Sequence, residues 1–483
     1  MNALMQKVMR RANPDRMLQT VMGGLIDAAA FRFNLGFERE RWCPGKPLKL
    51  LFAGYVGARN TGADVRVEEM LRQMRLILGD ENAELSILSV DLSRTAGYFR
   101  GIRQIPMPLV YPKFLFAEVP RHHGVVACEG SMFKSKFSNA LSTFMTGALG
   151  LATSERKLSV GYGAEAGAMD EDLRELVRKY CADSLIVCRN EPSRRILAGL
   201  DIRTAEGTDT AWTFRAAPRA RAEAILREAG WDGKRKILLV CPINPFWWPI
   251  APSYLKAAAL KWMGEYREEH YQSFYFHEFS EENRKKYRDY LSAIAGAVRA
   301  FAAKRGLFVA LVGMEKLDRR ACEDLAKLFE REPPVFVSDD YDMYDLVSVL
   351  RRADLMVSSR YHAIVTSMPA LVPSAGITMD ERITNIMAER GHGRLLLKVD
   401  EADLEGKLLD ILGRFESESM AVAKDIAKAL PRQLELMGKM GMSFMDEVLR
   451  VYPEFPARKV ARKPENFLPE IPAELREVLE KHS

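Results

Sequence analysis

LKLLFAGYVGARNTGADVRVEEMLRQMRLIL, Leu48 to Leu78, reads as a strand, a turn and a helix in one unit. The run Leu48–Ala53 is apolar without alternation, as in a parallel strand covered on both faces. Gly54, Gly57 and Gly62 then let the backbone turn and approach a ligand closely, and Asp64 is a candidate cap for the helix that follows. The turn is not the G-x-G-x-x-G dinucleotide fingerprint. From Val65 to Leu78 the apolar residues recur at helical spacing.

The same alternation continues along the chain. Apolar runs at ELSILSV, GVVACEG, KLSVGYG and SLIVCRN make a first set of five strands with LKLLFAGY; KILLVCPI, LFVALVG, PVFVSD, DLMVSS, ALVPSAGI and RLLLKVD make a second set of six. Strand–helix alternation on this scale implies an α/β fold with two Rossmann-like doubly wound domains facing a cleft. A length of 483 residues agrees with two cores rather than one. Thr213–Lys236, rich in Pro, Gly and charge, reads as the crossover. The expected organisation is an N-terminal helical extension (1–46), a first domain (47–215), a second domain (235–400) carrying an aromatic insertion (244–279), C-terminal helices (401–452) and a Pro-rich charged tail (453–483). The insertion is read as a helical excursion with a partly buried aromatic cluster, and alternatively as an acceptor- or lipid-facing surface.

Composition narrows the function. Hydrophobic residues make up 48% and charged residues 28%, as in ordinary globular proteins, and the net charge of +6 is mild. It suits anionic substrates or a membrane surface, and no basic block is interleaved with stacking aromatics, so nucleic acid is not expected. The six Cys (43, 128, 181, 188, 241, 322) form no C-x-x-C pair. They are expected to be reduced, in a reducing compartment. No His, Cys, Asp or Glu cluster has metal-ligand spacing. Met1 to Phe33 has no cleavable-signal pattern, and its apolar stretch Val21–Phe31 contains Asp27 and is far shorter than the roughly 20 residues a spanning helix needs. It is read as an extra helix packed on the first domain, with a helix lying on a membrane as the alternative.

In open α/β sheets ligands bind beyond the carboxyl ends of the strands. There the sequence places Asn60, Thr61 and Asp64 in the first loop, and Gly130 and Ser131 in CEGSMF. It also places Arg189 in CRNEPSRRIL, and Arg360 and His362 in SSRYHAIV. Ser358 or Ser359 is a candidate cap for the helix after Arg360. An Arg fork suits carboxylate or phosphate, and His moves protons near neutral pH.

In order, GYVGARNTGAD, CEGSMF, VGYGAE, CRNEPSRRILAGL, GTDTAW and SSRYHAIVTSMPALVPSAGI resemble the polysaccharide pyruvyl transferase family, over roughly Pro47 to Arg394. That resemblance implies a GT-B-like pair of domains and transfer of a pyruvyl group from phosphoenolpyruvate to two sugar hydroxyls of a cell-surface glycan or its lipid-linked precursor, forming a ketal. It implies that His362 is the acid–base residue, that Arg360 and Arg189, with Ser359, bind the donor, and that Asn60 and Asp64 belong to the family's first Gly-rich loop. Thr61, Gly130 and Ser131 are kept as loop contacts. No cofactor beyond the donor substrate is expected. The implied setting is cytoplasmic, with peripheral contact at the inner face of the plasma membrane. The chain departs from the family at Cys128–Glu129–Gly130, where many members carry glycines, and at Asn190, where Asp is common. The alternatives are a nucleotide-sugar glycosyltransferase, for which Glu381 and Glu389 give a Glu-x7-Glu spacing, and a non-catalytic glycan-binding member of the same fold.

Overall fold

The computed structural model describes residues 14–37, 40–248, 250–263, 275–277 and 280–482. The first sheet contains β1 (Leu48–Ala53), β2 (Ala83–Ser89), β3 (Arg103–Pro106), β4 (Gly124–Ala127), β5 (Leu158–Ala164), β6 (Leu185–Cys188) and β7 (Arg203–Glu206), in the order β3-β2-β1-β4-β5-β6-β7. Every pairing in it is parallel. The five strands read from apolar runs are all present. The two added strands, β3 and β7, lie at the edges, where one side has no neighbour and the sequence loses its apolar signature.

The second sheet contains β8 (Ile237–Cys241), β11 (Phe308–Gly313), β12 (Val335–Val337), β13 (Leu355–Ser358), β14 (Ser374–Thr378) and β15 (Leu396–Lys398), in the order β12-β11-β8-β13-β14-β15. Between β8 and β11 the aromatic insertion adds a short antiparallel pair, β9 (Ile250–Pro252) with β10 (Tyr275–His277), and a helix Tyr254–Trp262. Trp247 is buried and stacks on His277 at 4.5 Å. The rest of the insertion reading, at 249, 264–274 and 278–279, lies outside the described residues, as does the start of the N-terminal extension at 1–13.

Both sheets change direction of strand order at their centre, between β1 and β4 and between β8 and β13. The crevice beyond those carboxyl ends is where a doubly wound fold binds ligands.

The second domain begins earlier than residue 235. The helix Arg219–Glu228 sets Ala222, Ile225 and Leu226 into the same core as Ile237, Leu239 and Phe308. Its three buried apolar positions are set among three arginines and two glutamates, so in the sequence it reads as linker. The C-terminal region is one helix of 48 residues, Leu404–Val451, rather than several. Its first part packs on the helix Glu281–Arg305 of the second domain. Its last part packs on the first domain, where Gln73 donates to the Met437 carbonyl at 2.8 Å and Phe444 meets Tyr162 edge-on. The tail is ordered on this helix: Phe455, Phe467 and Leu475 are buried, and Gln73 also donates to the Phe467 carbonyl.

The N-terminal helix Pro14–Asn34 packs Met22, Ile26 and Ala29 on the helix Asn139–Ser154. A Cβ at Gly147 would come within 2.6 Å of Met22, so glycine there sets how closely the two helices approach. Among the described residues no helix is long and apolar enough to cross a membrane. Cys128, Cys181, Cys188, Cys241 and Cys322 are buried free thiols and Cys43 is an exposed one.

Candidate functional site

A cleft of about 540 Å³ opens between the domains, beyond the carboxyl ends of both sheets. Its floor is built from the Gly-rich loop on one side (Gly54, Tyr55, Gly57, Asn60) and from the loop after β11 with Arg360 on the other. Gly57 has φ +85°, and a Cβ there would lie 2.4 Å from the Ser89 hydroxyl, so only glycine closes this turn. The domains are joined around the floor. Thr61 N–H donates to the Met314 carbonyl at 2.8 Å, the Ser338 hydroxyl to the Arg59 carbonyl at 2.6 Å, and the Tyr55 hydroxyl to Glu315 at 3.2 Å. A separate hollow of about 730 Å³, lined by Glu40, Lys49, Arg75 and His122, lies at the opposite, amino-terminal ends of β1 to β3.

Arg360 stands at the end of β13 with extended backbone (φ −108°) and begins the seven-residue helix Tyr361–Ser367. Neither Ser358 nor Ser359 caps that helix, contrary to the sequence reading. The Ser358 hydroxyl is tied to the backbone of Arg360, and the Ser359 hydroxyl pairs with that of Tyr290 at 2.7 Å, turned into the domain. The Arg360 fork is held by two acids: Nε donates to Asp318 at 2.8 Å and Nη2 to Glu315 at 3.0 Å and to Asp318. Burial raises both carboxyls above their ordinary range, and Arg360 only partly offsets this. One cation shared by two buried acids favours retention of a proton in the trio.

Behind the floor lies a second network, centred on Asp209. Its Oδ2 meets Arg66 Nε at 3.0 Å, Arg189 Nη1 at 3.3 Å and His362 Nε2 at 3.3 Å. Burial alone would raise this carboxyl; Arg66, His362 and Arg189 together hold it far below the usual carboxylate range. Arg66 also donates to the carbonyls of Cys128 and Gly163, the latter turned inward by a bulge in β5 at φ +65°. Arg189 is paired with Glu165 as well as Asp209, and its guanidinium lies over the Tyr361 ring at 4.4 Å. Glu165 continues to Lys134 at 2.8 Å, and Lys134 crosses to Glu381 of the second domain at 2.7 Å. Burial lowers the His362 pKa, with Asp209 opposing and Arg66 and Arg189 assisting. Neutral His362 that donates from Nε2 to Asp209 presents Nδ1 as an acceptor. That nitrogen faces Gly62, where a Cβ would be 2.2 Å away.

The remaining candidates divide between lining and support. Asn60 and Ser131 line the cleft. Asn60, and not Asp64, is the cap of the helix Thr61–Leu78, accepting from Ala63 N–H at 3.1 Å. Asp64 is 2% exposed, its Oδ1 has no hydrogen-bond partner, and burial pushes its pKa well up. Gly130 lies against Arg189, 2.6 Å from where a Cβ would sit. The loop after β4 runs as a strap to the second domain, with Phe137 edge-on to Trp248 and under Arg382, and the next helix starts only at Asn139. Asn190 caps the helix Glu191–Ala198 by accepting from Ser193 N–H, which an Asp would also do. Glu381 is bound to Lys134, and exposed Glu389 accepts from Gln433.

Asp209, Glu165, Arg66, Glu315 and Asp318 were not singled out from the sequence. Glu315 and Asp318 sit at the carboxyl end of β11, so the strand-end rule could have found them. Asp209 follows edge strand β7 and lies within GTDTAW, a motif quoted for the resemblance but not assigned a role.

Residues 143–381 match the family model described as polysaccharide pyruvyl transferase. The match takes in Arg189, Asp209, Arg360 and His362. Two solved structures share the two-domain GT-B fold. One is Anabaena Alr3699/HepE in complex with UDP-glucose: 10% identity, 83% of this chain and 100% of that chain covered, TM-score 0.52. The other is a Listeria monocytogenes structure assigned as UDP-N-acetylglucosamine 2-epimerase: 13% identity, 83% and 97% covered, TM-score 0.50. No curated protein matches this chain.

Proposed function

The chain belongs, over residues 143–381, to the polysaccharide pyruvyl transferase family, and from that premise we propose that it moves a pyruvyl group from phosphoenolpyruvate to two hydroxyls of a sugar, in a cell-surface polysaccharide or its lipid-linked precursor. The observation that carries this reading is the Arg360 fork at the switch point of the second sheet, opposite the Gly-rich loop of the first. Phosphoenolpyruvate brings a carboxylate and a phosphate. Arg360, held in one orientation by Glu315 and Asp318, brings its guanidinium charge to the cleft, where a donor anion would exchange for one of those acids. Arg189 contributes charge from behind Tyr361. Ser359, tied to Tyr290, acts on Arg360 through the backbone rather than by touching the donor.

In the reaction the donor methylene gains a proton, and one sugar oxygen bonds to the enol carbon as its own proton leaves. A second sugar oxygen then bonds to the same carbon, phosphate departs, and the second hydroxyl proton leaves with it. His362 is the proton carrier, with Asp209 fixing its tautomer. Because Gly62 covers Nδ1, His362 reaches a ligand only as the domains part. Asn60, Thr61, Asp64, Gly130 and Ser131 shape the first-domain wall. The reading asks for no cofactor besides the donor, and places the protein in the cytoplasm at the inner face of the membrane. Thermal shift tests it: phosphoenolpyruvate raises the melting temperature and UDP-glucose does not. The reverse result would favour a nucleotide-sugar enzyme, and retention of oligosaccharide with no response to either would favour a glycan-binding protein.

A further inference from the structure

Four strands end at the two switch points, β1 and β4 in the first sheet and β8 and β13 in the second. The loop after β8 carries a polar side chain that stands outside the Arg360 and Asp209 networks. Asn244 lines the cleft and is only 5% exposed. It opens the short turn Pro245–Trp247, and its Oδ1 accepts from Phe246 N–H at 3.1 Å. That backbone donor fixes which way the amide lies, because only the oxygen can accept from it. The amide nitrogen is thereby turned elsewhere, and among the described residues Nδ2 has no hydrogen-bond partner. A buried donor that lacks an acceptor costs free energy, and a ligand oxygen brought to it removes the deficit. Cys241 pairs with Ser358 across β8 and β13, so Asn244 and Arg360 leave from neighbouring strand ends.

The same turn sets the residues that follow. Trp247 is buried and stacks on His277, which anchors the turn. Trp248 comes next with extended backbone and lies half-buried in the cleft wall. Phe137, from the strap of the first domain, meets it edge-on at 5.2 Å. Resting on the reading of a sugar acceptor in this cleft, we infer that Asn244 and Trp248 form the subsite for one pyranose ring. A ring hydroxyl oxygen accepts from Asn244 Nδ2, and the C–H face of the ring lies on the Trp248 indole. The indole face is the negative side of the ring quadrupole, and sugar C–H bonds, polarised by the oxygen on each carbon, are attracted to it. An open-chain polyol has the same hydroxyls and no such face. The pair therefore selects a closed ring, beside the strand end that carries Arg360.

Saturation-transfer NMR of the full chain with the methyl pyranosides of glucose, galactose and mannose, each in the millimolar range, tests this directly, with glucitol as the open-chain control. At least one pyranoside is expected to take saturation at its ring C–H protons, and glucitol none. Asn244→Ser keeps an oxygen able to cap the turn and deletes the amide nitrogen, so the fold should be retained. That variant and Trp248→Ala should each weaken the binding about tenfold, the size of one lost hydrogen bond or ring contact. Saturation of glucitol equal to that of the pyranosides, saturation of no pyranoside, or undiminished binding by either variant overturns the inference. The measurement contains no donor and needs no turnover. A chain that binds pyranosides but does not respond to phosphoenolpyruvate therefore counts against pyruvyl transfer alone, and one that responds to phosphoenolpyruvate but binds no pyranoside counts against this subsite alone.

Discussion

Asp209→Asn isolates the central ion network, because it keeps the shape of the side chain and removes one charge. Asp209 and Arg66 are both fully buried, and Arg189 is nearly so. Arg189 retains Glu165, but Arg66 has no other carboxylate among the described ion pairs. The variant therefore strands one guanidinium away from water. Breaking a buried pair from one side costs about 3–5 kcal/mol. For a domain the size of the first one, about 2–4 °C of melting temperature goes with each kcal/mol, so the expected fall is roughly 6–20 °C. Differential scanning calorimetry at pH 7 reads this, and the first-domain transition should move. Adding His362→Gln should give a double-mutant coupling of about 0.5–3 kcal/mol, because the two side chains share one contact. A fall of less than about 2 °C, which is under 1 kcal/mol on the same scale, would mean that Asp209 does not hold the Arg66 and Arg189 guanidinium groups and that the network does not orient His362.

Further outcomes follow from the same geometry. His362→Ala should retain the fold and phosphoenolpyruvate binding but lose about 10²–10⁴ in turnover, the usual contribution of a positioned acid or base; undiminished turnover removes His362 from the chemistry. Gly62→Ala places a methyl against His362 and should cost about 1–3 kcal/mol, as overpacking does. It should also open the domains measurably in small-angle scattering, and an unchanged profile would refute the close approach. Arg360→Met leaves Glu315 and Asp318 without a cation and should cost about 3–5 kcal/mol at neutral pH. Raised acids contribute stability at low pH and lose it as pH rises through their folded values, so the gap to wild type should widen from pH 5 to 8 in urea titrations. His123 works in the opposite direction. Burial brings its pKa down from 6.5 to about 4 while its Nδ1 accepts from Lys49 N–H. At about 1.4 kcal/mol per pH unit, that gap is worth roughly 3 kcal/mol, present above pH 6.5 and lost as pH falls toward 4. His123→Gln should flatten this part of the stability profile.

The sequence was most informative where burial is uniform. All eleven strands read from apolar runs are present, and nine of them lie inside a parallel sheet, where an interior strand has no polar side to confuse the reading; the other two, β12 and β15, are apolar edges of the second sheet. Edge strands β3 and β7 were not legible, and Asp209, which follows β7 within the quoted GTDTAW, was given no role although the second network turns on it. The strand-end residues fall in two places: Arg360, Asn60 and Ser131 line the cleft, while Arg189 and His362 meet at Asp209 behind it. What spacing could not give was the set of partners. Glu165, Glu315 and Asp318 are ordinary acids in sequence, and only folding brings them to the guanidinium groups. Caps were misassigned for a local reason. Asn60, Ser358, Ser359 and Asp64 are all competent oxygens near helix starts, and which one caps depends on where the helix begins.

The 48-residue helix has a bearing on motion. The polypeptide passes between the lobes at 216–218, and this rod returns across the gap, so the two halves are tethered twice. Two tethers permit swinging about the line that joins them and resist free tumbling or sliding. Pro431, inside the rod, cannot donate the backbone hydrogen bond of its turn. The compliant point of the second tether is therefore written into the covalent chain, and opening that uncovers His362 would flex there first.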